Sequence, residues 1–181
     1  GGADRPQSTA PHSPAPTAGT PIASVIPRED LLSYVANVHA RTHEAVDLLA
    51  DAHLHWRPAP GEFSAAELVT HIASARLMNA AAIETGITRY PGHHVKDAAT
   101  ALALRRLMRR TSRQAIATIS AADLERIIPN QAGPAFPAWR RVLGGLIEHE
   151  THHRSQLCGY LAALQLEPPP LFGLRAEDLP R

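Results

Sequence analysis

Four stretches of this chain repeat apolar side chains at steps of three and four, separated by connections that hold proline and glycine. That is the period of an α-helix, because residues three and four apart share a face. The first stretch covers about 28–51, with Leu31, Leu32, Val35, Val38, Val46, Leu48 and Leu49 as its stripe. Glu29 and Asp30 suit the positive end of its dipole. The second covers 64–85. It opens with the capping-box pattern Ser64-Ala65-Ala66-Glu67, carries Leu68, His71, Ala75, Met78 and Ala82 inward, and ends near Gly86. The third covers 97–119, with Leu102, Leu107, Ile116 and Ile119 as anchors and a basic face of Arg105, Arg106, Arg109, Arg110 and Arg113. A short helical turn is expected at 120–126. The fourth covers 137–165, with the stripe Val142, Leu146, His149, His153, Leu157, Tyr160 and Leu164, and Pro168-Pro169-Pro170 ends it.

These stretches, with mostly short connections, predict an all-α fold: a four-helix bundle with up-down helices. Residues 28–181 form the expected domain. Residues 1–27 alternate proline with Ser, Thr, Ala and Gly, cannot bury enough apolar surface to offset their ordering entropy, and read as a disordered arm. A net charge of +1 gives no global attraction to nucleic acid. The single cysteine, Cys158, excludes an internal disulfide framework and a thiolate-rich zinc site, and reads as a small buried hydrophobe. No apolar run approaches the roughly 20 residues that span a bilayer. The expectation is therefore a cytoplasmic protein with no membrane and no nucleic-acid partner.

Chemistry must come from the eleven histidines. His149 and His153 lie one turn apart on one helix face, and His71 lies on the inner stripe of another helix. In a bundle, ligands project inward from facing helices, so these three are a candidate metal site with an open position. The alternative is that each is an ordinary core histidine. His39 and His43 share the same spacing and are the rival pair; otherwise they are solvated or capping residues of the first helix. His53, His55, His93 and His94 fall in loops, and His152 points away from His153. The run His149-Glu150-Thr151-His152-His153 also fits the H-E-x-x-H pattern of zinc proteases, in which the glutamate is a general base. The extended pattern fails, because Gln156 and Gly159 stand where it places glycine and histidine. Glu150, Arg154 and Gln156 are candidate helpers behind the ligands, with Glu150 positioned to hold an imidazole tautomer.

Two segments resemble one known family. Trp56-Arg57-Pro58-Ala59-Pro60-Gly61-Glu62-Phe63-Ser64, followed by Glu67-Leu68-Val69-Thr70-His71-Ile72, is similar to the entry to the second helix of DinB/YfiT-like proteins. Glu148-His149-Glu150-Thr151-His152-His153-Arg154-Ser155-Gln156-Leu157 resembles that family's H-x-x-H-H-R-G-Q motif, with Ser155 in place of glycine. Leu166-Glu167-Pro168-Pro169 and Leu171-Phe172-Gly173-Leu174 resemble its tail. The resemblance implies a DinB-type bundle, a homodimer, and one divalent metal, nickel or zinc, on His71, His149 and His153. It further implies thiol S-transfer with a low-molecular-weight thiol such as bacillithiol, mycothiol or glutathione, the partners being that thiol and a small electrophile. Two alternatives stand beside it: a metal-dependent hydrolase using bound hydroxide, and a non-catalytic, stress-related metal-binding protein.

Overall fold

The computed structural model describes residues 26–94, 98–170 and 176–180. All but the last two residues of the expected arm, the start of the third stretch at Asp97, and the segment Leu171-Phe172-Gly173-Leu174 lie outside the described residues.

Four helical stretches form as the periodicity predicts: α1 (Arg28–Asp47), α2 (Ala65–Thr85), α3 (Ala101–Ala121) and α4 (138–163). Their ends have local causes. At α2 the capping box closes in both directions: Glu67 N donates to Ser64 Oγ at 3.2 Å, and Ser64 N donates to Glu67 Oε2 at 2.7 Å. Gly86 ends α2 at φ +77°, the left-handed conformation that glycine adopts without strain. Thr100 Oγ1 accepts from Ala103 N at the start of α3. The first helix stops at Asp47 rather than near residue 51, and Asp51 instead accepts the Ala101 N–H at 2.7 Å.

Three arginines close the carbonyl ends of the helices. Arg28 donates to the carbonyls of Ile119, Ser120 and Ala122, Arg105 to those of Asp47 and Leu49, and Arg126 to those of Ile83 and Glu84. Each places positive charge where a helix leaves carbonyls unpaired. The basic face of α3 is thus partly structural, since Arg109 also pairs with Asp47 at 2.7 Å.

The core has three layers. One apolar cluster holds Val46, Leu49, Leu68, Ile72, Leu104, Met108, Leu157 and Leu161, and the other holds Leu31, Val35, Ile83, Ala115, Ile119, Val142 and Leu146. Between them along every helix fall buried polar residues: His39 and Thr42 on α1, Arg76 and Asn79 on α2, Thr111 and Ser112 on α3, Glu150 and Arg154 on α4. The order in which each helix meets these layers gives its direction: α1 and α4 run one way, α2 and α3 the other. The bundle is the expected one, but strict alternation breaks between α2 and α3, and the connection after Gly86 has to travel back along the bundle.

Two features had no periodic signal. Ile127–Ile128 pairs antiparallel with Phe136–Pro137, and the helical turn expected at 120–126 is only the end of α3, which stops at Ala121. The middle of α4, Val142–Glu148, is wound as a π-helix between the α-helical segments Ala138–Arg141 and His149–Ala163. Gly145 lies in it, and a Cβ there would land on the Asn79 amide, whose Nδ2 donates to Gly145 O at 3.2 Å. The missing side chain is what lets α2 and α4 approach. Among the described residues, no helix is long and apolar enough to cross a membrane.

Candidate metal centre

The antiparallel packing of α2 on α4 brings His71 against His149 and His153. His71 Nε2 lies 3.2 Å from His149 Nε2 and 3.0 Å from His153 Nε2. All three side chains are half-buried, and together they are the described group of residues able to hold a metal ion. On α4 the fully buried stripe is Leu146, Glu150, Arg154, Leu157 and Leu161. His149 and His153 lie one residue to its side, at the edge of the core rather than within it.

The hydrogen-bond partners decide where the imidazole protons sit. His153 Nδ1 is 2.5 Å from Gln156 Oε1, an atom that only accepts, so Nδ1 carries the proton and Nε2 keeps its lone pair. The Tyr90 hydroxyl, 2.6 Å from His71 Nδ1, can accept from it or donate to it; when it accepts, His71 Nε2 also keeps its lone pair and a cation fits between the two Nε2 atoms. The spacing fits one: with metal–nitrogen bonds of about 2.0–2.1 Å, nitrogens 3.0–3.2 Å apart subtend about 91–106°, between octahedral and tetrahedral angles.

Electrostatics also favour neutral imidazoles. Burial, with His153, His149 and His93 nearby, lowers the His71 pKa to about 4. Burial and then His153 do the same to His149, also to about 4, and burial lowers His153. All three are therefore unprotonated near neutral pH, the form that ligates.

The returning connection after Gly86 supplies an outer wall. Tyr90 Oη bridges from His71 to His93 Nδ1 at 3.1 Å, and the Phe63 ring packs 5.3 Å from His71 and 4.6 Å from His93. Neither Tyr90 nor Phe63 is singled out in the sequence as a site residue, whereas His93 is one of four loop histidines that either rim a pocket or face solvent, and it lies at the rim. The only signal would have been a connection long enough to recross the bundle.

The candidate helpers divide. Gln156 reaches a ligand imidazole. Glu150 points into the core, where Arg76 Nε donates to its Oε2 at 2.7 Å and Arg76 Nη2 to its Oε1 at 2.5 Å. Burial alone would raise the Glu150 pKa, but the Arg76 charge and hydrogen bonds outweigh it and hold the carboxyl below its usual range. Arg154 is buried too, with Nη1 donating to Val38 O at 3.0 Å.

The rival pair is neither solvated nor capping. His39 is fully buried, its Nδ1 2.9 Å from Ser112 Oγ and its Nε2 3.2 Å from Glu150 Oε2, off the line of a hydrogen bond. His43 Nε2 lies 3.3 Å from both Met108 O and Arg76 Nη1. Both belong to the polar layer. His152 is exposed, as expected, and His53 Nδ1 accepts from Ala50 N at 3.0 Å. Cys158 is half-buried against the core, which raises its thiol pKa and makes it a poor nucleophile.

Known proteins place this arrangement. The chain is similar to a DinB-like protein from Bacillus subtilis, at 20% identity and TM-score 0.63, over 80% of this chain and 99% of that one. It is also similar to a DinB-like protein from Bacillus cereus, at 22% identity and TM-score 0.64, over 78% of this chain and 95% of that one. These likenesses establish the fold. The curated proteins give no significant match. The model of the DinB superfamily matches residues 34–157, a span holding α2, α3, all three clustered histidines and most of α1 and α4, so the chain belongs to the DinB superfamily.

Proposed function

We propose that the protein is a metal-dependent thiol S-transferase, with His71, His149 and His153 holding one divalent ion, nickel or zinc. The observation that carries this reading is the convergence of three neutral imidazoles, with the Nδ1 partner of His153 leaving its Nε2 free. Such an ion lowers the pKa of a coordinated thiol or water.

The protein's own part is arrangement. Gln156 fixes the His153 tautomer, and Tyr90 holds the Nδ1 side of His71. Phe63 and the Tyr90–His93 segment cover His71, and a cleft opens on the His149 side. The state of Glu150 supports a thiol over water. Hydrolysis by the H-E-x-x-H scheme needs a free glutamate as base, and here that glutamate is locked onto Arg76. A thiol, with an ordinary pKa near 8.5, needs less help to ionise. A cytoplasmic, homodimeric protein acting on a small electrophile completes the proposal.

The experiment is turnover of model electrophiles by nickel- or zinc-loaded protein with bacillithiol, mycothiol or glutathione. Thiol-dependent turnover that disappears in His149→Ala is expected. Turnover without any thiol would mean hydrolysis. A metal that raises the melting temperature but supports neither reaction would mean a non-catalytic site.

A further inference from the structure

An open cleft of about 600 Å³ runs off the His149 side of the imidazole cluster. Its lining includes Phe136, Trp139, Arg140, Arg141 and the Gly144-Gly145 backbone, with His149 in its wall. We propose that this cleft binds an organic carboxylate with an apolar or aromatic body, its anionic end on Arg141 and Arg140 and its body against Trp139 and Phe136.

The two arginines carry the argument. Arg28, Arg57, Arg76, Arg105, Arg109, Arg126 and Arg154 each give at least one donor to a carbonyl or carboxylate. Arg140 and Arg141 have neither kind of partner among the described residues. The Arg141 Nε N–H is shielded from water with no acceptor at all. The other N–H groups of both guanidinium forks, in the cleft lining and without a carbonyl or carboxylate partner, are the donors left for an acceptor that enters it. Both guanidinium carbons also lie over one ring, 5.7 Å and 5.4 Å from the Phe136 centroid. That shared ring keeps two like charges side by side, where an anion relieves their repulsion. The one acid in the lining, Glu148, is exposed and forms no ion pair with either arginine among the described residues.

The backbone makes room. The π-wound stretch Val142–Glu148 presents two glycines, and a Cβ at Gly144 would meet nothing within 4 Å. A planar guanidinium fork matches a carboxylate, and Trp139 and Phe136 offer apolar faces for what is attached to it. Binding of the acid requires nothing of the metal. That the bound acid is the reacting thiol or electrophile rests on the proposed function, since His149 is shared by the cleft and the imidazole cluster.

Trp139 supplies the readout. The chain has two tryptophans, and the other, Trp56, meets Tyr160 edge-to-face with ring centroids 5.1 Å apart, outside the cleft lining. Phenylacetate, phenyl phosphate and 2-phenylethanol are titrated into chelator-treated, nitrogen-15-labelled protein while the two indole N–H resonances are followed. Phenylacetate should shift the Trp139 resonance saturably and leave Trp56 in place. The shift should need about tenfold or more ligand in Arg141→Gln. It should vanish in Gly144→Leu, which fills the cleft and leaves both arginines, and persist in His71→Ala, which removes a metal ligand outside the cleft. An Arg141→Gln titration equal to wild type, or 2-phenylethanol binding as tightly as phenylacetate, would overturn the proposal. Tighter binding of phenyl phosphate would overturn the carboxylate assignment. Loss of turnover with the phenylacetate shift intact would instead count against the proposed function.

Discussion

Arg76 and Glu150 form a bidentate ion pair inside the bundle, with both side chains at most 2% exposed and the pair joining α2 to α4 between the two apolar clusters. Removing one partner leaves the other charge buried alone. Glu150→Ala or Arg76→Ala should each destabilise the protein by about 3–5 kcal/mol, whereas the double change to apolar residues of similar volume should recover most of that. Urea unfolding of the three variants measures it. Single variants within 1 kcal/mol of wild type would mean the pair is not desolvated in solution.

The polar layer also sets a pH dependence. Burial, opposed by Glu150 and reinforced by Arg76 and His43, lowers the His39 pKa from 6.5 to about 4. The unfolded chain therefore takes up this proton near pH 6.5 and the folded chain only near pH 4. Stability is complete above 6.5 and is lost as the pH falls through about 4, by about 3 kcal/mol for this residue. His43, shifted to about 4 mainly by burial, acts in the same direction. Chelator-treated protein unfolded in urea from pH 7 to pH 4 should show the decline, and His39→Gln should remove about 3 kcal/mol of it, with His43, His71 and His149 supplying the rest. A level profile in wild type would refute the assignment.

The two neighbouring glycines of the π-wound segment should respond in opposite ways. At Gly145 a Cβ collides with the buried Asn79 amide, so Gly145→Ala should cost about 1–3 kcal/mol. At Gly144 the space is open, so Gly144→Ala should be neutral or stabilise by up to about 1 kcal/mol. Thermal unfolding of both variants tests this, and equal effects would contradict the close approach of α2 to α4.

Gln156 and Tyr90 hold the Nδ1 sides of His153 and His71. Gln156→Ala and Tyr90→Phe should each weaken metal affinity by roughly 10–100-fold while leaving one ion per chain. Competition titration against a chromogenic chelator measures this. Unchanged affinity in both would show that the tautomers are set elsewhere.

What was legible in the sequence was local. Ser64 and Glu67 announce the start of α2 because capping uses residues three apart, and Gly86 announces its end. His149 and His153 announce each other at one helical turn, and a stripe places His71 inward. The rest depends on partners far apart in the chain. Glu150 and Arg154 read as helpers behind the ligands, and only their partners on other helices, Arg76 and the Val38 carbonyl, show that they are held in the core instead. His39 and His43 have metal-ligand spacing yet serve the polar layer, because spacing says nothing about the facing helix. Tyr90 and His93 become part of the site only because the connection after Gly86 runs back along the bundle. The π-wound turn has no periodic signal, only a pair of glycines with two different roles.

The account turns on one ion held by three imidazoles. The most direct test is metal content of purified, nickel- or zinc-loaded protein by elemental analysis, comparing wild type with His71→Ala and checking by circular dichroism that the variant keeps its helices. One equivalent of metal per chain in wild type, lost in the helical His71→Ala protein, is the predicted result. A full equivalent retained in His71→Ala would contradict the three-histidine centre.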